Sequence, residues 1–165
     1  MDKNTAFIWL KKKGIWYRYD TTFSIKGSIK AEQVRSVTSE IVKVLINDNW
    51  QLYDTATGNL CSLPYPYIGN PDTQQMMIVK NNENKYGYIN LNGEEVIPAR
   101  YELITGFSEN GTTKASDTYF MYHLNTSGDI LFKYLNKKTI NLIIAFCITS
   151  LLLVASMVFY NSLKY

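Results

Sequence analysis

The sequence predicts an all-β repeat domain of about four three-stranded antiparallel units, followed by one C-terminal transmembrane α-helix. Three observations carry this reading. Residues 85–102 form a hairpin signal, with alternating apolar residues on either side of Asn92-Gly93 and a stop at Pro98. A pattern of Trp or Tyr followed four positions later by Asp or Asn recurs at intervals of about 34 residues. An uncharged apolar run starts at Leu142 and ends at Tyr160.

The elements follow in chain order. Residues 6–10 and 15–20 alternate across a Lys-Gly turn and predict a first hairpin, with a third strand around Phe23 to Ile25. Residues 28–39 carry no decisive period, so a short helix and a loop both fit. Residues 41–46 and 50–54 make the next hairpin across Asn47-Asp48-Asn49, and the prolines at 64 and 66 hold the chain extended up to Tyr67. Asn70-Pro71-Asp72 reads as a loop. Residues 76–80 and 86–91 pair, with Asn92-Gly93 expected as a type I′ turn because both residues tolerate positive φ. Residues 112–115, 119–124 and 129–134 repeat the three-strand pattern.

Aligning the units places Trp16, Trp50, Tyr86 and Tyr119 at one repeated position, the expected core aromatics. Asp20, Asp54 and Asn90 fall together at a polar turn position, with His123 in that register in the fourth unit. A piece of roughly 34 residues cannot bury its own apolar face, so the units must pack on one another, as an open stack or as a partly closed propeller-like or barrel-like sheet. The stretch Tyr86-Gly87-Tyr88, with the turn at Asn92-Gly93, Ile97-Pro98 and Tyr101, resembles the WG-repeat family of tandem β-strand repeats. Tyr86 stands where that family usually has Trp. The resemblance implies a β-repeat domain over residues 1–135, and the lysines and apolar run of residues 136–165 predict a basic juxtamembrane linker and transmembrane tail anchor.

The apolar run spans about 28 Å as a helix, close to the ~30 Å hydrocarbon thickness. Five residues follow Tyr160, which predicts a tail anchor. Lys133, Lys137 and Lys138 before the run against Lys164 after it predict the repeat domain on the cytoplasmic side and the C-terminus across the membrane. Tyr160 and Tyr165 fit interfacial positions.

Composition narrows the chemistry. Net charge is +3 over 165 residues, and the basic residues are scattered, which gives no footprint for nucleic acid. Aromatics are 14% of the chain and include 13 Tyr, a balance that suits strands. His123 is the single histidine, and Cys61 and Cys147 show no paired spacing, so neither a histidine triad nor a zinc ligand set is encoded. No phosphate-binding glycine loop is present. The expectation is therefore a non-enzymatic module without catalytic, metal or cofactor residues and without a small-molecule substrate. It is held to the bilayer by residues 142–160 and binds a protein partner through a loop carrying Tyr65, Tyr67 and Asp72. The alternative is a small pore-forming or stress-responsive membrane effector with the repeats as sensor.

Overall fold

The computed structural model describes residues 7–162; Ala6, Lys164 and Tyr165 of the expectations above lie outside them. Among the described residues the strands form four antiparallel meanders. The first sheet contains β1 (Ile8–Lys12), β2 (Ile15–Tyr19) and β3 (Ile25–Lys30). The second contains β4 (Gln33–Ser36), β5 (Ile41–Ile46), β6 (Asn49–Asp54) and β7 (Leu60–Cys61). The third contains β8 (Tyr67–Pro71), β9 (Met77–Lys80), β10 (Tyr86–Ile89) and β11 (Glu95–Tyr101). The fourth contains β12 (Leu103–Ile104), β13 (Thr112–Ser116), β14 (Phe120–Asn125) and β15 (Ile130–Leu135), and α1 (Lys137–Ser162) follows directly.

Three of the four units are thus four-stranded, not three-stranded as expected, and none of these sheets closes into a barrel. The added strands β4, β8 and β12 are edge strands that pair on one side only. Edge strands tolerate polar residues and proline, so QVRS and YIGNP lack the alternation that marks a strand in sequence.

A single turn design closes most of the hairpins. Its first residue is Asp, Asn or Ser, whose backbone N–H donates to the carbonyl four residues on and whose carbonyl accepts from the N–H three residues on. Asp20, Asp72, Asn81, Asn90, Ser108 and Asn125 all do this. At Asp20, Asp72, Asn81, Asn90 and Asn125 the side-chain oxygen also accepts the N–H groups two and four residues on. This is why short polar side chains stand there. Asn92-Gly93 is accordingly not a type I′ turn: Gly93 has φ +83°, while Asn92 keeps negative φ within the Asn90–Glu94 loop. Type I′ geometry occurs instead at Lys13-Gly14 and Asn47-Asp48, where both residues have positive φ.

The sheets pack face to face in chain order, with an apolar layer between each pair. Val42 and Val44 of the second sheet meet Trp9, Trp16 and Ile29 of the first. Leu52 and Trp50 meet Met77, Val79 and Ile89 of the third. Tyr88 and Ile97 meet Ile104, Ala115 and Leu124 of the fourth. The fully buried Val, Leu, Ile and Met side chains among them each contribute about 1.5–3 kcal/mol of transfer free energy, more than an isolated hairpin commands.

Gly87 marks a departure confined to the third sheet. Register runs Tyr88↔Ile97 but Tyr86↔Tyr101, so β11 bulges over the β10 backbone at Pro98 and its neighbours. A Cβ at Gly87 would lie 2.3 Å from the Ile97 carbonyl oxygen and 2.6 Å from the Ala99 nitrogen. Around Gly27 of the first sheet nothing lies within 4 Å of such a Cβ. Gly87→Ala is therefore expected to destabilise the full-length protein in detergent by about 1–3 kcal/mol. Gly27→Ala changes stability by less than about 1 kcal/mol in either direction. Denaturant titration followed by tryptophan emission checks the contrast.

Candidate docking face

Register aligns one cross-strand row in all four sheets, two positions before the turn-capping residue. The rows are Trp9, Arg18 and Gly27; Lys43, Leu52 and Cys61; Ile78, Tyr88 and Ile97; and Lys114, His123 and Phe132. Directly paired residues share a sheet face, so each row presents one surface.

In the first three sheets this surface grips the next sheet. Arg18 donates to the carbonyls of Thr55 and Ser39 at 3.3 and 3.4 Å. Lys43, 3% exposed, donates from Nζ to the carbonyls of Ile68 and Gly69 at 3.0 and 2.8 Å and to Asn70 Oδ1 at 2.9 Å. Among the described residues no carboxylate joins these three acceptors, and burial, then the charge of Arg35, pushes the Lys43 ammonium below its ordinary pKa. Tyr88 donates its hydroxyl to the Thr105 carbonyl at 2.6 Å and sets its ring 4.8 Å from Phe107. Burial, with the charge of Asp72, pushes its phenol pKa up.

Among the described residues the fourth row has no following sheet to grip. His123 stacks on Phe132 with ring centroids 4.0 Å apart and planes 19° from parallel, and Phe132 stacks on Tyr134 at 6.5 Å. Phe132 and Tyr134 are 54% and 48% exposed, and Lys114 lies beside them. Met121, paired with Tyr134, shares this face. The fourth sheet thus carries apolar, aromatic and cationic groups outward in the positions that make the internal layers.

The residues singled out from sequence distribute as follows. Trp16, Trp50 and Tyr86 sit on the central strands β2, β6 and β10, each partly buried against the layer shared with the following sheet. Tyr119 does not join them. It lies in the turn before β14, 59% exposed, and Met121 holds the equivalent position, four residues before the cap. The cap of the fourth unit is Asn125, not His123, since Asn125 Oδ1 accepts the Ser127 and Asp129 amides. The two bulky aromatics Tyr119 and Phe120 shift a sequence alignment by two residues; the signal that corrects it is Asn125-Thr-Ser-Gly128, which matches Asn90-Leu-Asn-Gly93.

Asn92 donates its amide to Asn90, and Gly93 abuts the Cys61 sulfur, where a Cβ would come within 2.7 Å. Tyr65 is 6% exposed and donates its hydroxyl to Glu95. Tyr67 is half exposed on β8. Asp72 caps a turn through Oδ1 and accepts the Phe107 amide on Oδ2, joining the third sheet to the fourth. Lys43 and Arg18, polar links between layers, carry no motif that sequence reasoning could detect, and the sequence marks Asp72 as a loop residue, not as such a link. Among the described residues no group of three His, Cys, Asp or Glu stands close enough to hold a metal ion.

Two expectations follow from these contacts. Lys43→Met leaves the Ile68 and Gly69 carbonyls without their donor and should cost about 1–3 kcal/mol in denaturant unfolding of the full chain. Asp20 is held below the usual carboxylate range by the Thr22 hydroxyl and the Ser24 amide, and Asp54 by the Thr57 hydroxyl and the amides of Ala56 and Thr57. A carboxylate with a depressed folded-state pKa stabilises fully above its unfolded pKa, near 3.8, and loses that contribution as pH falls through the folded value. The melting temperature should therefore drop below about pH 4, and less so in the double variant Asp20→Asn/Asp54→Asn, which keeps the turn with an uncharged acceptor.

Comparison with known families matches residues 86–114 to the WG containing repeat. No curated protein matches the chain. The matched segment begins at the aromatic of β10, includes the bulge over Gly87, and ends in β13, so it crosses the layer between the third and fourth sheets. The chain carries a WG containing repeat at residues 86–114.

Proposed function

We propose that this chain is a membrane-anchored, non-enzymatic docking module that presents the outer face of its fourth sheet to the β-sheet of a protein partner. The observation that carries the reading is the row Lys114, His123 and Phe132, which repeats, in the open, the row that grips a neighbouring sheet three times inside the molecule. The internal layers are the model for the partner chemistry we propose. Arg18, Lys43 and Tyr88 all reach main-chain carbonyls near the edge strands or turns of the following sheet. Lys114 is placed to do the same for an incoming edge strand, with His123, Phe132 and Tyr134 covering its apolar side chains.

The anchor rests on α1. Its segment Lys137–Tyr160 is long and apolar enough to cross a membrane, and none of it is buried against the sheets. Thr149, Ser150 and Ser156 donate their hydroxyls to carbonyls three residues back, which removes the cost of bare hydroxyls in lipid. Lys133, Lys137 and Lys138, ahead of the apolar run, favour the sheets on the cytoplasmic side. Tyr65 and Asp72 are engaged in structural hydrogen bonds and Tyr67 alone of the three is half exposed, so the open face, not that segment, is the surface we assign to the partner.

A photo-crosslinking amino acid at Phe132, introduced into the full-length protein in the cells that make it, tests this reading against the same substitution at Thr126 in the Asn125–Gly128 turn. Discrete polypeptide adducts from position 132 and not from 126 are expected. Adducts with lipid alone, or equal yields from both positions, overturn it.

A further inference from the structure

The junction between the fourth sheet and α1 is not a free linker. Asn136 caps the helix, accepting the Thr139 amide on Oδ1 at 2.8 Å. The same residue ties the helix to the turn between β13 and β14. Its backbone N–H donates to the Tyr119 carbonyl at 2.8 Å, and its Nδ2 donates to the carbonyls of Asp117 and Thr118 at 3.2 and 2.9 Å. The Thr139 hydroxyl adds a bond to the Thr118 carbonyl. That turn is itself braced: Asp117 Oδ1 accepts the Tyr119 and Phe120 amides, and its Oδ2 accepts the Tyr122 hydroxyl. The start of the helix therefore cannot pivot without breaking a set of directed bonds.

Chain geometry then places the turn. The first helical turn carries Lys137 and Lys138 and no acidic residue, and the uninterrupted apolar stretch begins at Leu142. Lysines flanking a span sit at headgroup level, and tyrosine is the side chain that belongs at that depth, with an apolar ring and a hydroxyl for water or ester oxygens. Tyr119 is 59% exposed, and its carbonyl is bonded to the cap of that helix.

We infer that the Asp117–Tyr119 turn is seated in the headgroup layer of the bilayer, with Tyr119 as an interfacial anchor and Asn136 as the rigid coupling that sets how the sheets stand on the membrane. The inference rests on the reading of α1 as a membrane span, and extends it from a tether to a defined orientation. It also gives Tyr119, which takes no part in the apolar layers, a physical reason to be exposed.

The test uses the full-length protein reconstituted in vesicles of zwitterionic and anionic lipids, with a spin label on the headgroup of a fraction of the lipids. Tyr119→Trp adds an indole in the turn, and Thr126→Trp adds one at the other end of β14. Quenching is read as the difference from the parent, which keeps Trp9, Trp16 and Trp50 as a common background. The indole at position 119 is expected to be quenched roughly twofold more than that at 126, the contrast between a headgroup-level and a solvent-exposed ring. Adding Asn136→Ala should shrink the difference while the protein still floats with the vesicles. Flotation with equal quenching at the two positions overturns the seated turn and leaves the span standing. Loss of flotation in the parent overturns the span and, with it, this inference.

Discussion

The structure depends on one contact repeated between layers: a side chain two positions before a turn cap leaves its own sheet and engages the next. Arg18, Lys43 with Leu52, and Tyr88 occupy this row in the first three sheets. A meander of three or four short strands is marginal alone, because one apolar face remains wet. Placing another sheet on that face removes it from water, and the polar reach to main-chain carbonyls fixes the angle and register of the pair. Burying the Lys43 ammonium against uncharged acceptors is costly in itself, and its value is positional. Three directed bonds leave few alternative ways to seat the third sheet on the second.

Turn chemistry keeps the row in phase. Asp20, Asn90 and Asn125 bond the amides that follow them in the same way, so the residue two before each cap points to the same side of its sheet. The second unit makes a turn one residue longer, with Gly58 N–H donating to the Asp54 carbonyl, and still holds Leu52 in the row. Glycine enters where a turn touches the preceding sheet: a Cβ at Gly93 would strike Cys61, and one at Gly128 would lie 2.6 Å from the Val96 carbonyl oxygen. Turn type, row register and inter-sheet distance are therefore one linked constraint, and the WG containing repeat at residues 86–114 is the segment that carries it from the third sheet to the fourth.

Much of this was legible in the sequence, and the rest was hidden for physical reasons. The recurrence of Trp16, Trp50 and Tyr86 ahead of Asp20, Asp54 and Asn90 survives as equivalent places on three central strands, because ring burial and turn capping both restrict residue type. In the fourth unit the burial constraint lapses. Its outward face meets no further sheet, Met121 stands where an aromatic was expected, and Tyr119 draws the alignment two residues early. The edge strands β4, β8 and β12 went unseen since one-sided pairing relaxes both alternation and the exclusion of proline. The outward face proposed for docking was not readable, because His123 and Phe132 become neighbours only once β14 and β15 pair.

The layered order is tested most directly by nuclear Overhauser spectroscopy of the full-length chain in detergent micelles. The account predicts cross-peaks between the rings of Tyr88 and Phe107, whose centroids are 4.8 Å apart across the third layer, and between Leu52 and the side chains of Met77 and Val79 across the second. Intact β-sheet signals with neither set of cross-peaks would contradict the account, since the sheets would then form without gripping one another.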